Sequence, residues 1–267
     1  MRLVDAPVIS NDEVCPNVFL LRLQAPDVAA EARAGQYVMV RCGEGHELVL
    51  RRPLSIHRTS ADGSLDLLFA VVGRGTDWLA RRAEGDILSL LGPLGNHFDI
   101  HPGSRSLLLA AGGIGVAPLV ALAEEAKASG RSVRLLVGCG TASDVYPERL
   151  LPAGVETVIA TEDCSLGEAG MVTDQLPRYV PNADQIFACG PLPMYRRMSE
   201  MGSLFGSRRV QVTLEAVLGC GVGACLGCSI ETRNGRKLVC RDGPVFDLGE
   251  VVWDKMAAPP VGKRRHG

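Results

Sequence analysis

Residues 106–123 read SLLLAAGGIGVAPLVALA, eighteen positions without a charged side chain, the length at which a membrane-spanning helix has to be weighed. Gly112, Gly113, Gly115 and Pro118 interrupt the run, and Glu124, Glu125 and Lys127 follow it at once. A buried strand over Leu107–Ala110, a glycine turn and a helix over Ala117–Ser129 account for this pattern better than a membrane span. The glycines let the backbone come close to a pyrophosphate, and the helix start near Val116 offers it partial positive charge. The spacing is not GxGxxG, so a purely structural strand-to-helix turn stands as the alternative reading.

The same rhythm continues outward from this stretch. Apolar strands at Val133–Val137, Val155–Ala160 and Gln185–Ala188 alternate with helices at Val172–Leu176 and Pro193–Leu204, which predicts a parallel α/β sheet over residues 101–209. Cys189, Gly190 and Pro191 follow the strand Gln185–Ala188, at the sheet edge where open α/β sheets bind ligands. Cys189 alone is equally well read as a small buried residue. Upstream, short β-prone runs at Val38–Arg41, Leu65–Val72 and Asp86–Leu91 lie between glycine-rich turns, predicting a small antiparallel barrel over residues 1–100. Downstream, residues 210–267 are glycine-rich and cysteine-dense between Cys220 and Cys240. That segment is too short for a conventional core and calls for another source of cohesion. The end, Ala257–Gly267, reads as a solvated, frayed tail.

The chain of 267 residues, 46% hydrophobic and 22% charged, is long enough for two or three domains and has the balance of an ordinary globular protein. Its net charge of −2 provides no global field for nucleic acid or an anionic membrane. Nine cysteines cannot all pair within one chain, and the start MRLVDA lacks the apolar core of a signal peptide, so the reading is a reducing cytoplasm. The thiols then divide among buried hydrophobes, metal ligands and redox groups.

Four of them, Cys220, Cys225, Cys228 and Cys240, form C-x4-C-x2-C-x11-C, whose first three positions match the plant-type [2Fe-2S] spacing. Gly219, Gly221, Gly223 and Gly227 interleave them and are expected to let backbone amides approach the sulfurs. A structural zinc site is the rival, although its usual signature is pairs of cysteines two to four residues apart. In the barrel region, RRPLSI at residues 51–56 ends an apolar run. Arg52 there can form a bidentate pair with a pyrophosphate, with Pro53 and Leu54 leading to Ser55 at a flavin ring edge; an exposed β-turn arginine is the bland alternative. Phe69, Ala70 and Val71 then lead to Gly73–Thr76 at a helix start, where Gly75 and Thr76 would receive a second phosphate. Gly92–Asn96 reads as a closing turn.

These elements together resemble the ferredoxin reductase-like superfamily, and across nearly the whole chain the electron-transfer subunits of class 1B dihydroorotate dehydrogenase. The most specific match is Thr213-Leu214-Glu215 with CGVGACLGC (220–228) and CRDGPVFD (240–247); Gly167, Gly170, Val172 and Thr173 also fit. Ala216–Gly219 departs from the more polar approach usual in that family. The resemblance implies an FAD-binding barrel, a central NAD-binding domain in which Cys189 faces the nicotinamide, and a small [2Fe-2S] domain. It further implies a separate FMN-containing catalytic subunit that oxidises (S)-dihydroorotate to orotate, a 2+2 heterotetramer, and NAD+ as acceptor. NAD is favoured over NADP because GCGTASD (138–144) carries no arginine for a 2′-phosphate. The competing classes are a reductase subunit of another redox complex, of sulfhydrogenase or ferredoxin oxidoreductase type, and a zinc-binding interaction module. Catalytic residues in the acid–base sense are not expected. His46, His57, His97, His101 and His266 lack metal spacing and read as turn or surface residues, while Cys15, Cys42, Cys139 and Cys164 have no assigned role.

Overall fold

A computed structural model describes residues 1–43, 45 and 48–257; His46, His266 and the tail from residue 258 onward lie outside the described residues. Six antiparallel strands, β1 (Arg2–Cys15), β2 (Val18–Gln24), β3 (Tyr37–Val40), β4 (Arg52–Thr59), β5 (Ser64–Ala70) and β6 (Ile87–Leu94), close into a barrel in the order β1-β2-β5-β4-β3-β6. Short helices α1 (Pro26–Ala29) and α2 (Arg74–Ala80) lie in its connections. Leu21, Leu23, Val38, Val40, Ile56, Leu65, Leu67, Leu88 and Leu90 fill its interior, while Arg22, between two of them, points out, the period of two that a half-buried strand demands. Register shifts between Val8 and Ser10 and between Glu13 and Cys15 mark irregularities along β1, the devices that let a sheet bend into closure. The strand expected to stop at Leu91 runs on through Gly92 and Pro93 to Leu94. Gly92 lies against Val38, whose Cγ1 would be 2.6 Å from an added Cβ, and the chain turns only at Gly95, with φ of +74°.

The central layer comprises β7 (Ser106–Gly112), α3 (Val116–Ala128), β8 (Ser132–Cys139), β9 (Glu156–Thr161), β10 (Glu168–Ala169), α4 (Val172–Tyr179), β11 (Gln185–Cys189), α5 (Leu192–Glu200), α6 (Gly202–Phe205) and β12 (Arg209–Thr213). The single helix expected over Pro193–Leu204 is therefore two, broken at Met201-Gly202, where glycine lowers helix propensity. Beyond them come β13 (Ser229–Thr232), β14 (Gly235–Leu238), α7 (Val239–Asp242) and β15 (Val245–Asp247). The central sheet has the order β10-β9-β8-β7-β11-β12-β15, parallel except for β15. Leu107, Leu109 and Ala111 of β7 pack toward α3, and Leu108 and Ala110 pack toward α4 and α5, so β7 is apolar on both faces, as a central parallel strand must be.

Because β15 pairs with β12, the cysteine-rich segment is an excursion out of the central sheet and back into it. The boundary expected at 209/210 falls inside β12; the short strand is hidden in a stretch whose composition is already changing. No helix among the described residues is long and apolar enough to cross a membrane, and the uncharged run at 106–123 is divided between β7, a tight turn and α3.

His57, expected at a turn or on the surface, is instead fully buried between the barrel and the central layer. Its Nδ1 lies 2.8 Å from the Ala117 carbonyl oxygen in the first turn of α3, and its Nε2 lies 2.9 Å from the Tyr146 hydroxyl. The carbonyl requires a donor, so Nδ1 carries the proton and Nε2 accepts from Tyr146. Arg58 extends the joint, pairing with Glu124 at 2.7 Å and donating to the Leu150 carbonyl at 2.6 Å. Burial pushes the His57 pKa from 6.5 down to about 4. A folded pKa below the unfolded one confers stability that is present above the unfolded value and lost as pH falls toward the folded one. Relative to His57→Gln, the wild-type chain is therefore expected to lose about 3 kcal/mol more stability between pH 6.5 and pH 4, a difference read from paired urea titrations.

Candidate functional site

Three groups of residues picked out in the sequence come to the junction of the layers. On the barrel, Arg52, Pro53, Leu54 and Ser55 open β4, while Phe69 and Ala70 end the neighbouring β5, followed by Val71. The Arg52 side chain crosses the start of α2: a Cβ on Gly75 would lie 2.6 Å from Arg52 Nε. The arginine and the helix N-terminus, well separated in sequence, thus meet in one place. Thr76 is buried and its hydroxyl accepts from the Val72 amide at 2.9 Å and the Gly73 amide at 3.2 Å, so it shapes the turn. Leu54 and Phe69 face the barrel interior, where Phe69 stacks on Phe19 at 5.8 Å; toward a ligand outside the barrel they offer backbone. Arg51 is committed to the Ser89 carbonyl at 2.7 Å and the Ser89 hydroxyl at 3.1 Å, while Arg52 donates from Nη1 to the Leu50 carbonyl at 2.5 Å.

In the central layer, β7 and β11 are adjacent, with Ala111 opposite Cys189. The chain builds the sheet in one direction from β7 through β8 and β9, then returns to its other side with β11. The switch point between them is where such sheets bind ligands, and both sequence motifs sit there. Their approach is close. A Cβ on Gly115 would lie 2.0 Å from the Cys189 carbonyl oxygen, and one on Gly112 would lie 2.7 Å from Pro191 Cδ. Gly113 has φ of +54° in the left-handed region. Cys189 is buried, and burial pushes its thiol up to about 12, so it is a neutral thiol. Tyr195, missed in the sequence, accepts from the Gly190 amide at 2.8 Å and donates to the Thr213 carbonyl at 2.6 Å, tying the Cys189–Pro191 turn to β12. Its position in α5 just beyond the turn is the only local signal.

The third group is the cysteine loop. Its thiols form two pairs within hydrogen-bonding reach, Cys220 with Cys225 and Cys228 with Cys240. Among the described residues no three Cys, His, Asp or Glu side chains converge on one point. Two pairs of thiolates are the donor set of a binuclear cluster with two ligands on each iron, whereas a mononuclear zinc site gathers its four ligands around one ion. Five backbone amides address the sulfurs: Val222, Ala224 and Cys225 at 3.4, 3.2 and 3.4 Å from Cys220 Sγ, Gly223 at 3.1 Å from Cys240 Sγ, and Cys240 at 3.4 Å from Cys228 Sγ. Only one of the four interleaved glycines is therefore a donor. Gly221 and Gly223 chiefly supply left-handed backbone, with φ of +74° and +81°. The amide of Val222, helped by that of Cys225, pulls the Cys220 thiol down to about 6, whereas burial and the neighbouring Cys228 push Cys240 up to about 12. A buried thiol pair of that kind needs cationic compensation before it can ionise, which bound iron supplies.

The loop is fastened to the barrel. The Tyr37 hydroxyl lies 3.1 Å from both the Gly221 and the Cys240 carbonyl oxygens. Asn96 donates to the Asp242 and Val245 carbonyls at 3.1 and 2.8 Å and accepts from the Val245 amide at 2.9 Å. The remaining cysteines are free thiols: Cys42 and Cys139 are buried, Cys15 is half-buried and Cys164 exposed. His101 serves a local turn, accepting from the Gly103 amide, whereas His97 bonds the Phe98 carbonyl through Nδ1 and the Arg33 guanidinium, 2.9 Å away, through Nε2.

An antiparallel barrel, a parallel nucleotide-type sheet and an appended four-cysteine loop define a ferredoxin reductase-like flavoprotein with an iron-sulfur segment. Residues 5–98 match the oxidoreductase FAD-binding domain, and residues 215–252 match the iron-sulfur cluster binding domain of dihydroorotate dehydrogenase B. The electron transfer subunit of dihydroorotate dehydrogenase B (NAD(+)) from Desulforamulus reducens is 39% identical over 95% of this chain and 99% of its own length. Its counterpart from Geobacillus thermodenitrificans is 38% identical over 92% and 96%. The solved structure of an NADH-dependent reduced ferredoxin-NADP oxidoreductase aligns with a TM-score of 0.85 at 29% identity, covering 94% of this chain and 90% of that one. The chain belongs to the family of dihydroorotate dehydrogenase B electron transfer subunits.

The closest approach in the nucleotide region yields a direct test. Gly115→Ala would place its Cβ against backbone that cannot swing away. It is expected to destabilise the chain by about 3 kcal/mol or more, measured as a shift in denaturation midpoint, while Gly113→Ala, with open space around its Cβ, costs about 1 kcal/mol through its positive φ alone.

Proposed function

We propose that this chain carries electrons from an FMN-containing dihydroorotate dehydrogenase subunit to NAD+, in a 2+2 heterotetramer in the cytoplasm, completing the reaction (S)-dihydroorotate + NAD+ → orotate + NADH + H+. The observation that carries this reading is the paired four-cysteine loop held against the barrel face that bears Arg52–Ser55, in a chain related to the family along nearly its whole length. When bound, FAD trades two electrons with nicotinamide and single electrons with a [2Fe-2S] cluster.

The residues divide the work. Arg52 and the α2 start at Gly75 and Thr76 hold the flavin pyrophosphate, Ser55 and the backbone of Pro53 and Leu54 border the ring, and the backbone of Phe69, Ala70 and Val71 runs along its edge. Gly112, Gly113 and Gly115 admit the NAD pyrophosphate at the start of α3, with Cys189, Gly190 and Pro191 beside the nicotinamide. Cys220, Cys225, Cys228 and Cys240 would hold the [2Fe-2S] cluster, with the amides of Val222, Gly223, Ala224, Cys225 and Cys240 stabilising the thiolates.

Mixing the purified chain with a competent FMN-type dihydroorotate dehydrogenase subunit tests the assignment. Dihydroorotate-dependent NAD+ reduction is the expected result. Its absence, with flavin and iron present, would favour a reductase of another redox complex, in line with the likeness to the ferredoxin-NADP oxidoreductase. Zinc without iron, acid-labile sulfide or flavin absorbance would favour the interaction module. Arg52→Ala is expected to weaken FAD binding by about 1.5 to 3 kcal/mol through loss of a charge-assisted contact, read by fluorescence titration of the apoprotein with FAD.

A further inference from the structure

Tyr37 occupies a place no motif assigns. Its backbone belongs to β3, directly opposite Ser55 of β4 on one side and Leu94 of β6 on the other. Its side chain leaves the barrel and packs in the core shared with Cys228, Ile230, Leu238, Val239 and Cys240, where it is 4% exposed. The hydroxyl ends 3.1 Å from the carbonyl oxygen of Gly221 and 3.1 Å from that of Cys240. These two acceptors lie on different arms of the cradle. Gly221 sits between the paired ligands Cys220 and Cys225, whereas Cys240 belongs to the other pair. A phenol has one proton to donate, so the two carbonyls share it, and that one atom connects both arms to the strand beside the flavin segment.

We propose that Tyr37 is a positioning residue for electron exchange between the flavin edge and the cluster, its hydroxyl pinning both ligand-bearing arms to the barrel. The proposal rests on the reading of Cys220, Cys225, Cys228 and Cys240 as iron ligands and adds a residue outside that ligand set. Loss of the hydroxyl leaves the ring packing in place but lets the arms move relative to β3 and to each other. The consequence is a looser cradle and a less well fixed flavin-to-cluster separation, with no effect on the nicotinamide side of the flavin. Asn96 supplies the contrast, because its bonds to Asp242 and Val245 join the barrel to the same segment beyond the last ligand.

The test compares wild type, Tyr37→Phe and Asn96→Ala as full-length holoprotein. Iron release to a chelator is followed by absorbance, and stopped-flow traces separate flavin reduction by NADH from the later reduction of the cluster. For Tyr37→Phe the expected result is iron loss about fivefold faster, the scale of one hydrogen bond, together with slowed cluster reduction and flavin reduction at the wild-type rate. Asn96→Ala is expected to release iron at the wild-type rate. Tyr37→Phe indistinguishable from wild type in both measurements would overturn the proposal. So would equal slowing of both reduction phases, or equally fast iron loss from Asn96→Ala, since either marks a general loosening. A wild-type chain holding neither iron nor sulfide would overturn the ligand reading and this inference with it; iron present with an unaltered Tyr37→Phe overturns this inference alone.

Discussion

The antiparallel pairing of β15 with β12 is the constraint on which the arrangement of sites depends. Gln211, Val212 and Thr213 face Asp247, Phe246 and Val245, so residues 214–244 leave the central sheet and must return to the strand they left. A glycine-rich segment too short to build a core alone is thereby held at both ends by a sheet with a full core, which its own Leu214, Leu218, Ile230, Leu238 and Val239 join. The loop it forms is pressed onto the barrel, where Asn96 and Tyr37 receive it. The cysteine loop and the barrel strand β3, which pairs with β4, become neighbours because one short strand closes the excursion.

Buried polar side chains fix the angle between barrel and sheet across an apolar interface in which Leu68 joins the core of β7 and α3, and Met39 and Leu94 join that on the other face. The fully buried His57 joins β4 to the first turn of α3. Gln185 accepts from the His101 amide at 2.9 Å and donates to the Asp99 carbonyl at 2.8 Å, and Gln211 accepts from the Asp99 amide at 2.9 Å, fastening the crossing between the two layers. Such bonds add little net stability each, but leaving any partner unmatched in these buried positions is costly. They select one mutual orientation. The relative placement of Arg52 and the glycine turn depends on that orientation, since Arg52 and His57 lie on one strand while Gly115 and Ala117 lie at one turn.

What was legible in the sequence is what is encoded locally. The glycine turn at 112–115, the Arg52–Ser55 segment and the cysteine spacing each follow from conformational freedom or ligand geometry over a few residues, and the alternating strand and helix periods revealed the layers. The rest depends on contacts between distant residues. β12 and β15, of five and three residues, are too short to leave a period, so the third domain boundary was drawn through a strand. His57 looked like a turn residue because the partners that satisfy it, Ala117 and Tyr146, are 60 and 89 positions away. Tyr37 carried no signal at all, since its hydroxyl meets backbone oxygens 184 and 203 residues later. The interleaved glycines are expected to let backbone amides approach the sulfurs, and left-handed backbone at Gly221 and Gly223 accompanies that approach, most of the amides belonging to neighbouring residues.

The late return of β15 also orders events during synthesis. All six barrel strands are complete by Leu94, and an emerging chain folds from its N-terminal unit onward. Tyr37 and Asn96 are therefore in place on a formed barrel long before Cys240 and Val245 leave the ribosome. The cradle gains its fourth thiol, Cys240, and its closing strand only after the barrel and the other strands of the central sheet have been made. A chain cut short before Cys240 would therefore present a formed barrel with three of the four clustered thiols and no closing strand.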